Sequence, residues 1–155
     1  MFDFIGYAAA FAVTLGILVA FHEFGHFWVA RRCGVKVITY SVGFGKAIWS
    51  RTGKDGTEYQ LGIIPLGGYV RMLDERVDEV AEHERHLSFN AQSVYKRFAI
   101  VAAGPIANFV LAVAVLWLMF GIGVPTVKPI IGEVAADSIA SRANLQRGDE
   151  IVQVG

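Results

Sequence analysis

The chain has 155 residues, of which 54% are hydrophobic and 18% charged, and its formal net charge is zero. The length bounds it to one or two domains, the hydrophobic share exceeds that of an ordinary soluble domain, and the balanced charge gives no indication of a nucleic-acid partner. Cys33 is the only cysteine, which excludes an intrachain disulfide, and we expect it to serve in packing or as a free thiol.

Two long apolar segments account for the excess of hydrophobic residues. Residues 4–21 contain no charged side chain, and neither do residues 99–124. Each segment is long enough to cross the hydrocarbon core of a membrane as a helix. A signal peptide is the alternative for the first segment, but no basic residue precedes it and it continues without a small-residue cleavage site. The sequence therefore predicts transmembrane helices within residues 1–32 and 98–124.

The basic residues predict how these helices are oriented. Of the 14 lysines and arginines, none precedes the first apolar segment and only Lys128, Arg142 and Arg147 follow the second. Since basic residues concentrate in cytoplasmic loops, residues 31–97 are expected on the cytoplasmic side and both ends of the chain outside.

The end of the first apolar segment carries a metal-binding pattern, His22-Glu23-Phe24-Gly25-His26. Two histidines four residues apart lie on one face of a helix, close enough to hold one metal ion. Glu23 is a poor third ligand but is well placed for a water at the metal, which is the arrangement of zinc hydrolases. Ionisable side chains in an apolar helix are costly unless they bind something. The pattern predicts Zn²⁺ held by His22 and His26, with Glu23 as the base.

Residues 33–72 change to a strand pattern and predict a small antiparallel sheet rich in glycine. Strands are expected at residues 35–44, 47–50, 58–64 and 69–72, with a turn at 52–56 and a break at Pro65-Leu66-Gly67-Gly68. The apolar side chains of the sheet favour contact with the membrane region, where a watery active-site cavity would permit non-helical backbone. An ordinary cytoplasmic hairpin is the alternative.

Residues 73–97 are rich in charge and predict a cytoplasmic loop with a short surface helix, capped by Ser93. Charged neighbours surround His83 and His86, so both are expected to be surface residues. In the second span Gly104-Pro105 is expected to interrupt and kink the helix. Asn108 is a lone amide in this apolar segment. It either lines the active site or mediates a helix contact, and the sequence leaves both interpretations open.

Residues 125–155 have the composition of a soluble segment. Strands are expected at residues 130–134 and 150–154, with a short helix at 138–143. Since about thirty residues cannot bury a proper core, this segment is predicted to belong to a larger domain.

Several motifs together resemble those of the bacterial site-2 proteases over essentially the whole chain. The motifs are His22-Glu23-Phe24-Gly25-His26-Phe27, Gly43-Phe44-Gly45, Pro65-Leu66-Gly67-Gly68-Tyr69-Val70, Phe89-Asn90 with Arg97, and Gly104-Pro105-Ile106-Ala107-Asn108-Phe109. The segment Leu145-Gln146-Arg147-Gly148-Asp149-Glu150-Ile151 resembles the start of a PDZ domain. The resulting fold class is an α-helical membrane protein with a small membrane-associated antiparallel β-sheet between two transmembrane helices, followed by a PDZ-like domain.

The resemblance implies an intramembrane zinc protease of the bacterial inner membrane. Such enzymes cut the transmembrane segments of single-span proteins, often anti-sigma factors. It also implies that His22 and His26 are the zinc ligands, that Glu23 is the catalytic base, and that the sheet lies near the active site. The third ligand of the family is an Asp in a Leu-Asp-Gly motif, which is absent from this sequence. We therefore expect the chain to be a fragment of the enzyme.

An edge of the sheet is expected to bind the substrate by strand addition, because an unwound substrate needs new partners for its backbone. The candidate substrate-binding residues are Ile63, Gly67, Gly68, Tyr69 and Asn108. A membrane-anchored PDZ adaptor that binds peptide termini without cutting them is the alternative function, and Glu23 argues against it. A soluble zinc protease with an incidental anchor is excluded because the metal motif lies inside the anchor. Membrane lipid and a peptide ligand of the PDZ region are the other expected partners.

Overall fold

A computed structural model describes residues 2–77, 79–123 and 128–153 of the chain. It forms two compact units, residues 1–116 and 117–155. In chain order the elements are helix α1 (Phe2–Arg32), strands β1 (Val37–Thr52) and β2 (Glu58–Met72), a 3₁₀ helix (Glu82–Leu87), and helices α2 (Val94–Ile122) and α3 (Ile139–Arg142).

Helices α1 and α2 confirm the two predicted apolar helices. Both are long and apolar enough to cross a membrane, with mean hydropathies of 2.2 and 2.3 in their most apolar windows. Helix α2 begins at Val94, earlier than the predicted residue 98, and Ser93 caps it as expected, with its hydroxyl oxygen 3.5 Å from the Lys96 amide. The predicted end of the span at residue 124 lies outside the described residues.

The predicted interruption of the second span at Gly104-Pro105 is wrong. Helix α2 continues through Pro105, with helical residues on both sides. Proline removes one hydrogen-bond donor from a helix, and in an apolar segment neighbouring protein groups and local adjustments satisfy the freed carbonyl. One lost hydrogen bond is therefore not enough to end a helix of 29 residues.

Strands β1 and β2 form an antiparallel sheet between the two long helices, as predicted. Both strands bend, so that one stretch of β1 has partners on both sides. Residues 39–42 of β1 pair with residues 68–71 of β2 and also with residues 58–61, while residues 47–52 pair with 58–62. Residues 39–42 therefore occupy the centre of the sheet and residues 68–71 form one edge.

The break predicted at Pro65-Leu66-Gly67-Gly68 is also wrong, because β2 runs without interruption from Glu58 to Met72. Proline is compatible with a sheet where its missing N–H is not needed, as at an edge or an irregularity of the register. The bend of β1 lies at Gly43 and Gly45, whose positive φ angles of 92° and 82° favour glycine. The predicted strands at 35–44 and 47–50 are accordingly two halves of one bent strand.

A small core fixes the carboxyl-terminal half of α1 against the sheet and α2. It consists of Phe27 and Ala30 from α1, Val35 and Val37 at the start of β1, and Ile100 from α2. The Phe27 ring packs edge-on against two tyrosines of the sheet, Tyr40 at 5.4 Å and Tyr59 at 5.9 Å between centroids. The Tyr40 hydroxyl also donates a hydrogen bond of 2.9 Å to the Ala20 carbonyl of α1. These contacts hold the sheet beside the turn of α1 that carries the metal motif.

The charged segment between β2 and α2 returns to the sheet through backbone hydrogen bonds. The amide of Leu73 donates to the Lys36 carbonyl, and the Leu73 carbonyl accepts from the Phe89 amide, both within 2.9 Å. Lys36 also forms an ion pair of 2.7 Å with Glu84 of the 3₁₀ helix. His83 and His86 are exposed on this helix, as predicted.

The second unit contains little regular structure in its described residues. Helix α3 confirms the predicted short helix, and the Ser138 hydroxyl caps it by accepting from the Ser141 amide at 3.1 Å. The strands predicted at residues 130–134 and 150–154 are reduced to a single bridge between Ile130 and Glu150. A strand needs a continuous partner to form a ladder, and this pair has none in the described range. The last residue of the second predicted strand, Val154, lies outside the described residues.

Candidate metal centre

His22 and His26 meet on one face of α1, as their spacing predicts. Their Nε2 atoms lie 3.2 Å apart. Two imidazole nitrogens bound to one tetrahedral zinc ion, each at 2.0–2.1 Å, are separated by about 3.3 Å. The two rings are therefore already placed at the separation that a single zinc ion requires, and the donor set suits it chemically.

The position of the proton on His26 follows from its second ring nitrogen. The Nδ1 atom of His26 lies 2.7 Å from the backbone carbonyl oxygen of Ile100 in α2. A carbonyl can only accept a hydrogen bond, so Nδ1 carries the proton. In a neutral ring the lone pair is then on Nε2, the atom that faces His22. Metal-binding histidines commonly donate their other N–H in this way.

Helix α2 provides a wall behind both imidazoles, and this wall depends on Gly104. A methyl group at Gly104 would lie against Nε2 of both rings, at 2.8 Å from that of His22. Beside the histidines on α1, Gly25 permits an equally close approach, because a methyl group there would lie 2.8 Å from the Ala107 Cβ and would collide with the Ala103 carbonyl. Small residues on both helices thus allow α2 to press against the metal motif.

Asn108 extends the same wall by one helical turn. Its amide nitrogen lies 3.5 Å from Nδ1 of His22, and its side-chain oxygen is buried without a hydrogen-bond partner in the described part of the chain. Asn108 lies at a helix contact, and it lines a cavity that also contains His22 and Glu23.

Glu23 lines two cavities, one shared with His26 and the other with His22. One, of about 380 Å³, is lined by Glu23 and His26 together with Val70, Met72, Asp74, Phe89, Ile100 and Val101. The other, of about 440 Å³, is lined by Glu23 and His22 together with residues of the sheet and Asn108. The Glu23 side chain thus borders both cavities, each of which also includes one of the two histidines.

The sheet supplies the wall of the second cavity opposite α2. Gly67 and Gly68 line it, with the apolar side chains of Phe44 and Leu66. At Gly68 the fit is tight, since a methyl group would lie 2.6 Å from the Ser41 carbonyl oxygen and 2.8 Å from Cγ of Glu23. The edge of β2 therefore packs closely against the Glu23 side chain.

Two of the candidate substrate-binding residues lie further away. Ile63 and Tyr69 are exposed and belong to neither cavity lining at Glu23. The Tyr69 hydroxyl donates to the side chain of Gln60 at 3.2 Å. The structure thus brings together Gly67, Gly68 and Asn108 with the metal motif, and leaves Ile63 and Tyr69 on the outer surface of the sheet.

Asp74 lines the first cavity, a placement that the sequence did not predict. Its carboxylate accepts from the Arg76 amide at 2.9 Å and from the Asn90 side-chain amide. The hydrogen bond from the Arg76 backbone is the main cause that lowers the pKa of Asp74. A lowered pKa in the folded state stabilises the fold above the usual Asp range and loses that effect as the pH falls through the lowered value.

No set of three histidine, cysteine or carboxylate side chains that could hold a metal occurs within residues 2–77, 79–123 and 128–153. Two histidines and an adjacent base are therefore what these residues provide. The sequence did not predict that the Ile100 carbonyl contacts His26 or that Gly104 lies against both imidazoles, because both contacts depend on how α1 and α2 pack. The only signal was the motif Gly104-Pro105-Ile106-Ala107-Asn108, whose spacing places Gly104 and Asn108 on one helix face.

Comparison with known proteins gives matches over nearly the whole chain. The sequence pattern of peptidase family M50 matches residues 10–149. Protease RseP of Yersinia pestis is 60% identical over 146 residues, which cover 94% of this chain and 32% of the relative. Regulator of sigma-E protease RseP of Escherichia coli K12 is 56% identical over 154 residues, which cover 99% of this chain and 34% of the relative. A Vibrio cholerae protein whose name suggests a zinc metalloprotease is 60% identical over 154 residues, which also cover 99% and 34%. The chain spans about a third of the length of these relatives.

Proposed function

Because the chain belongs to peptidase family M50, we propose that it forms the metal-binding part of a zinc protease that cuts peptide bonds within a membrane. Membership of the family confirms the resemblance derived from the motifs. The observation that carries the proposal is the 3.2 Å separation of the His22 and His26 Nε2 atoms, with Glu23 beside them lining two cavities. Two apolar helices enclose this pair, and the motif lies within the first of them.

In this proposal each residue of the motif has a distinct task. His22 and His26 offer Nε2 lone pairs to the ion, and the Ile100 carbonyl holds the His26 ring in the required tautomer. Zinc, when bound, polarises the scissile carbonyl and lowers the pKa of water. Glu23 accepts the proton of the attacking water, and its side chain lines both cavities next to the histidine pair.

A catalytic zinc site usually has three protein ligands. The described residues offer two histidines, and the relatives are about three times as long as this chain. We propose that the third ligand is the Asp of a Leu-Asp-Gly motif in the remainder of the protein, as the resemblance implies. Metal content should therefore be measured on the complete protein.

The edge of β2 is the proposed binding site for the substrate backbone. A peptide bond inside a helix is shielded by its own hydrogen bonds, so the substrate must first become extended. Extended backbone in an apolar setting needs new partners, and an exposed strand edge provides them. In support, residues 68–71 form an edge of the sheet and Gly68 approaches Cγ of Glu23 closely.

The topology and the substrate class rest on the sequence and on the relatives. We propose a protein of the bacterial inner membrane with residues 31–97 on the cytoplasmic side, because most basic residues lie there. The E. coli relative is named as a regulator of sigma-E. Single-span proteins of the anti-sigma-factor type are accordingly the proposed substrates. Residues 125–155 are proposed as the start of a periplasmic PDZ-like domain. Asn144 supports this, because its φ of 58° suits a position where the resembling motif has glycine.

A membrane-anchored adaptor that binds peptides without cutting them is the competing function. Such a protein would have no use for a carboxylate next to paired histidines. The two functions differ in one measurement, because an adaptor would bind peptide equally well with and without Glu23 and would release no product.

Replacing His22 or His26 by alanine is expected to remove most of the zinc from the purified complete protein. Each histidine supplies one bond to the ion, and the remaining ring cannot supply both. Metal analysis after dialysis against a mild chelator measures the loss. His83→Ala and His86→Ala are the matched controls, because both rings are exposed on the 3₁₀ helix and should leave zinc unchanged. Full zinc in both motif variants would place the ligands elsewhere.

Gly104→Ala is expected to weaken zinc binding, because the new methyl group would press on both imidazoles. Overpacking of this kind costs about 1–3 kcal/mol, which corresponds to a loss of affinity of about 5- to 150-fold if it acts entirely on zinc binding. Gly121→Ala in the same helix is the control, since a methyl group there meets nothing within 4 Å. Chelator titration of both variants measures the effect, and equal affinities would show that Gly104 is not needed for the rings to approach.

A further inference from the structure

The side chain of Asn108 lies next to His22, and one of its polar atoms has no hydrogen-bond partner among the described residues. Its side-chain oxygen is buried and has no partner in the described part of the chain, while its nitrogen faces Nδ1 of His22 at 3.5 Å. A buried acceptor without a donor costs about 1–3 kcal/mol. An unsatisfied buried group of this kind calls for an explanation, such as a functional role or a bound ion.

Metal binding at His22 creates the missing donor. A neutral imidazole that offers Nε2 to a metal carries its proton on Nδ1. That N–H would then point at the NH₂ group of Asn108, so two donors would face each other. A half-turn of the amide about its Cβ–Cγ bond exchanges the two atoms and brings the oxygen to Nδ1. The unpaired acceptor and the new donor then satisfy each other.

Helix α2 offers His22 an acceptor that is placed like the one it offers His26. Ile100, Gly104 and Asn108 follow one another at intervals of four residues and therefore lie on one face of the helix. The Ile100 carbonyl already accepts from Nδ1 of His26 at 2.7 Å, and Gly104 makes room for both rings. Asn108 occupies the equivalent place for His22, one turn further along.

We propose that Asn108 is a positioning residue, whose side-chain oxygen accepts the Nδ1–H of His22 and fixes that ring for metal binding. The inference rests on the proposed metal site. It gives Asn108 a role different from the substrate contact expected from the sequence. The role is confined to the ring and its metal affinity, so it can be measured without substrate.

The test compares variants at position 108 in the complete protein with Zn²⁺ alone. Asn108→Leu keeps a similar size without an acceptor, and loss of such a partner typically lowers metal affinity about 10- to 100-fold. Asn108→Asp keeps an acceptor and should bind zinc within a few-fold of the parent. Gln92→Leu removes an amide outside the site, one that donates to the His86 carbonyl, and should leave the affinity unchanged. Competition with a chromophoric chelator gives the affinities. Asn108→Ala replaces the Leu variant in the comparison if the latter fails to fold.

Three results would overturn the inference. The first is parent-like zinc affinity in the Leu and Ala variants. The second is an Asp variant as weak as the Leu variant, because an acceptor would then bring no benefit. The third is a raised KM with unchanged zinc affinity, which would make Asn108 a substrate contact. If instead His22→Ala keeps its zinc, the proposed metal site itself fails, and this outcome is distinguishable because it does not involve position 108.

Discussion

Glu23→Gln in the complete protein is expected to lower the rate of peptide-bond cleavage by about 10²- to 10⁴-fold while zinc content stays near that of the parent. The amide has almost the size of the carboxylate but cannot accept a proton from water. The contacts of the side chain with the edge of β2 at Gly68 should survive, because they are made by the Cγ atom. Cleavage of a single-span substrate in detergent, with metal analysis of the same sample, measures both quantities.

The control for this substitution is Glu82→Gln, which alters an exposed carboxylate of the 3₁₀ helix. It should leave both cleavage and zinc content unchanged. Turnover by Glu23→Gln at the rate of the parent, with zinc bound in both, would remove Glu23 from the mechanism. Binding of peptide with no cleavage by the parent itself would favour the adaptor.

Proline at the edge of the sheet is expected to reduce cleavage strongly while zinc stays bound. Proline lacks an N–H group and so cannot donate to an added strand. We expect this for Tyr69→Pro, at the edge beside the central stretch of β1. Glu79→Pro in the charged loop should have little effect. Initial rates at saturating and limiting substrate, with zinc analysis, measure the outcome.

Neighbouring positions sharpen this test. Successive N–H groups of a strand point to opposite sides, so only alternate residues of the edge donate outward. Proline at Gly68, Tyr69 and Val70 in turn should therefore reduce cleavage unequally, apart from any general loss of stability. Equal cleavage by all three variants and the parent would contradict strand addition.

The substrate provides an independent test of the same idea. Helix-breaking residues in its transmembrane span should speed cleavage, because less free energy is then needed to expose an extended segment. A substrate with a more stable helix should be cut more slowly. Equal rates for both substrates would mean that unwinding does not limit access to the site.

The parts of the fold that depend on local pattern were predictable from the sequence. Uniformly apolar segments of this length specify α1 and α2, and the spacing of His22 and His26 specifies a shared helix face. The errors at Pro65 and Pro105 have a common cause. Proline signals a break when its lost hydrogen bond must be satisfied locally, and in this chain the surrounding structure accommodates it.

Of the candidate site, only the metal ligands and the base could be predicted from the sequence. The contacts of His22 with Asn108 and of His26 with Ile100 join residues 86 and 74 positions apart. Such pairs depend on the depth and rotation at which α1 and α2 cross, which small residues such as Gly25 and Gly104 determine. The pairing of residues 39–42 with residues 58–61 could not be predicted from local pattern either, because it arises from the bends of both strands.

The wall of the cavity next to Glu23 has a consequence for which substrates the proposed enzyme can distinguish. Gly67 and Gly68 present backbone to this space, and Phe44 and Leu66 present only hydrocarbon. A surface of this kind has few groups with which to discriminate one substrate side chain from another. On the proposed function, amino-acid preference at the cut site should therefore be broad. Selection among membrane proteins would then depend on delivery to the site and on how readily a span unwinds there.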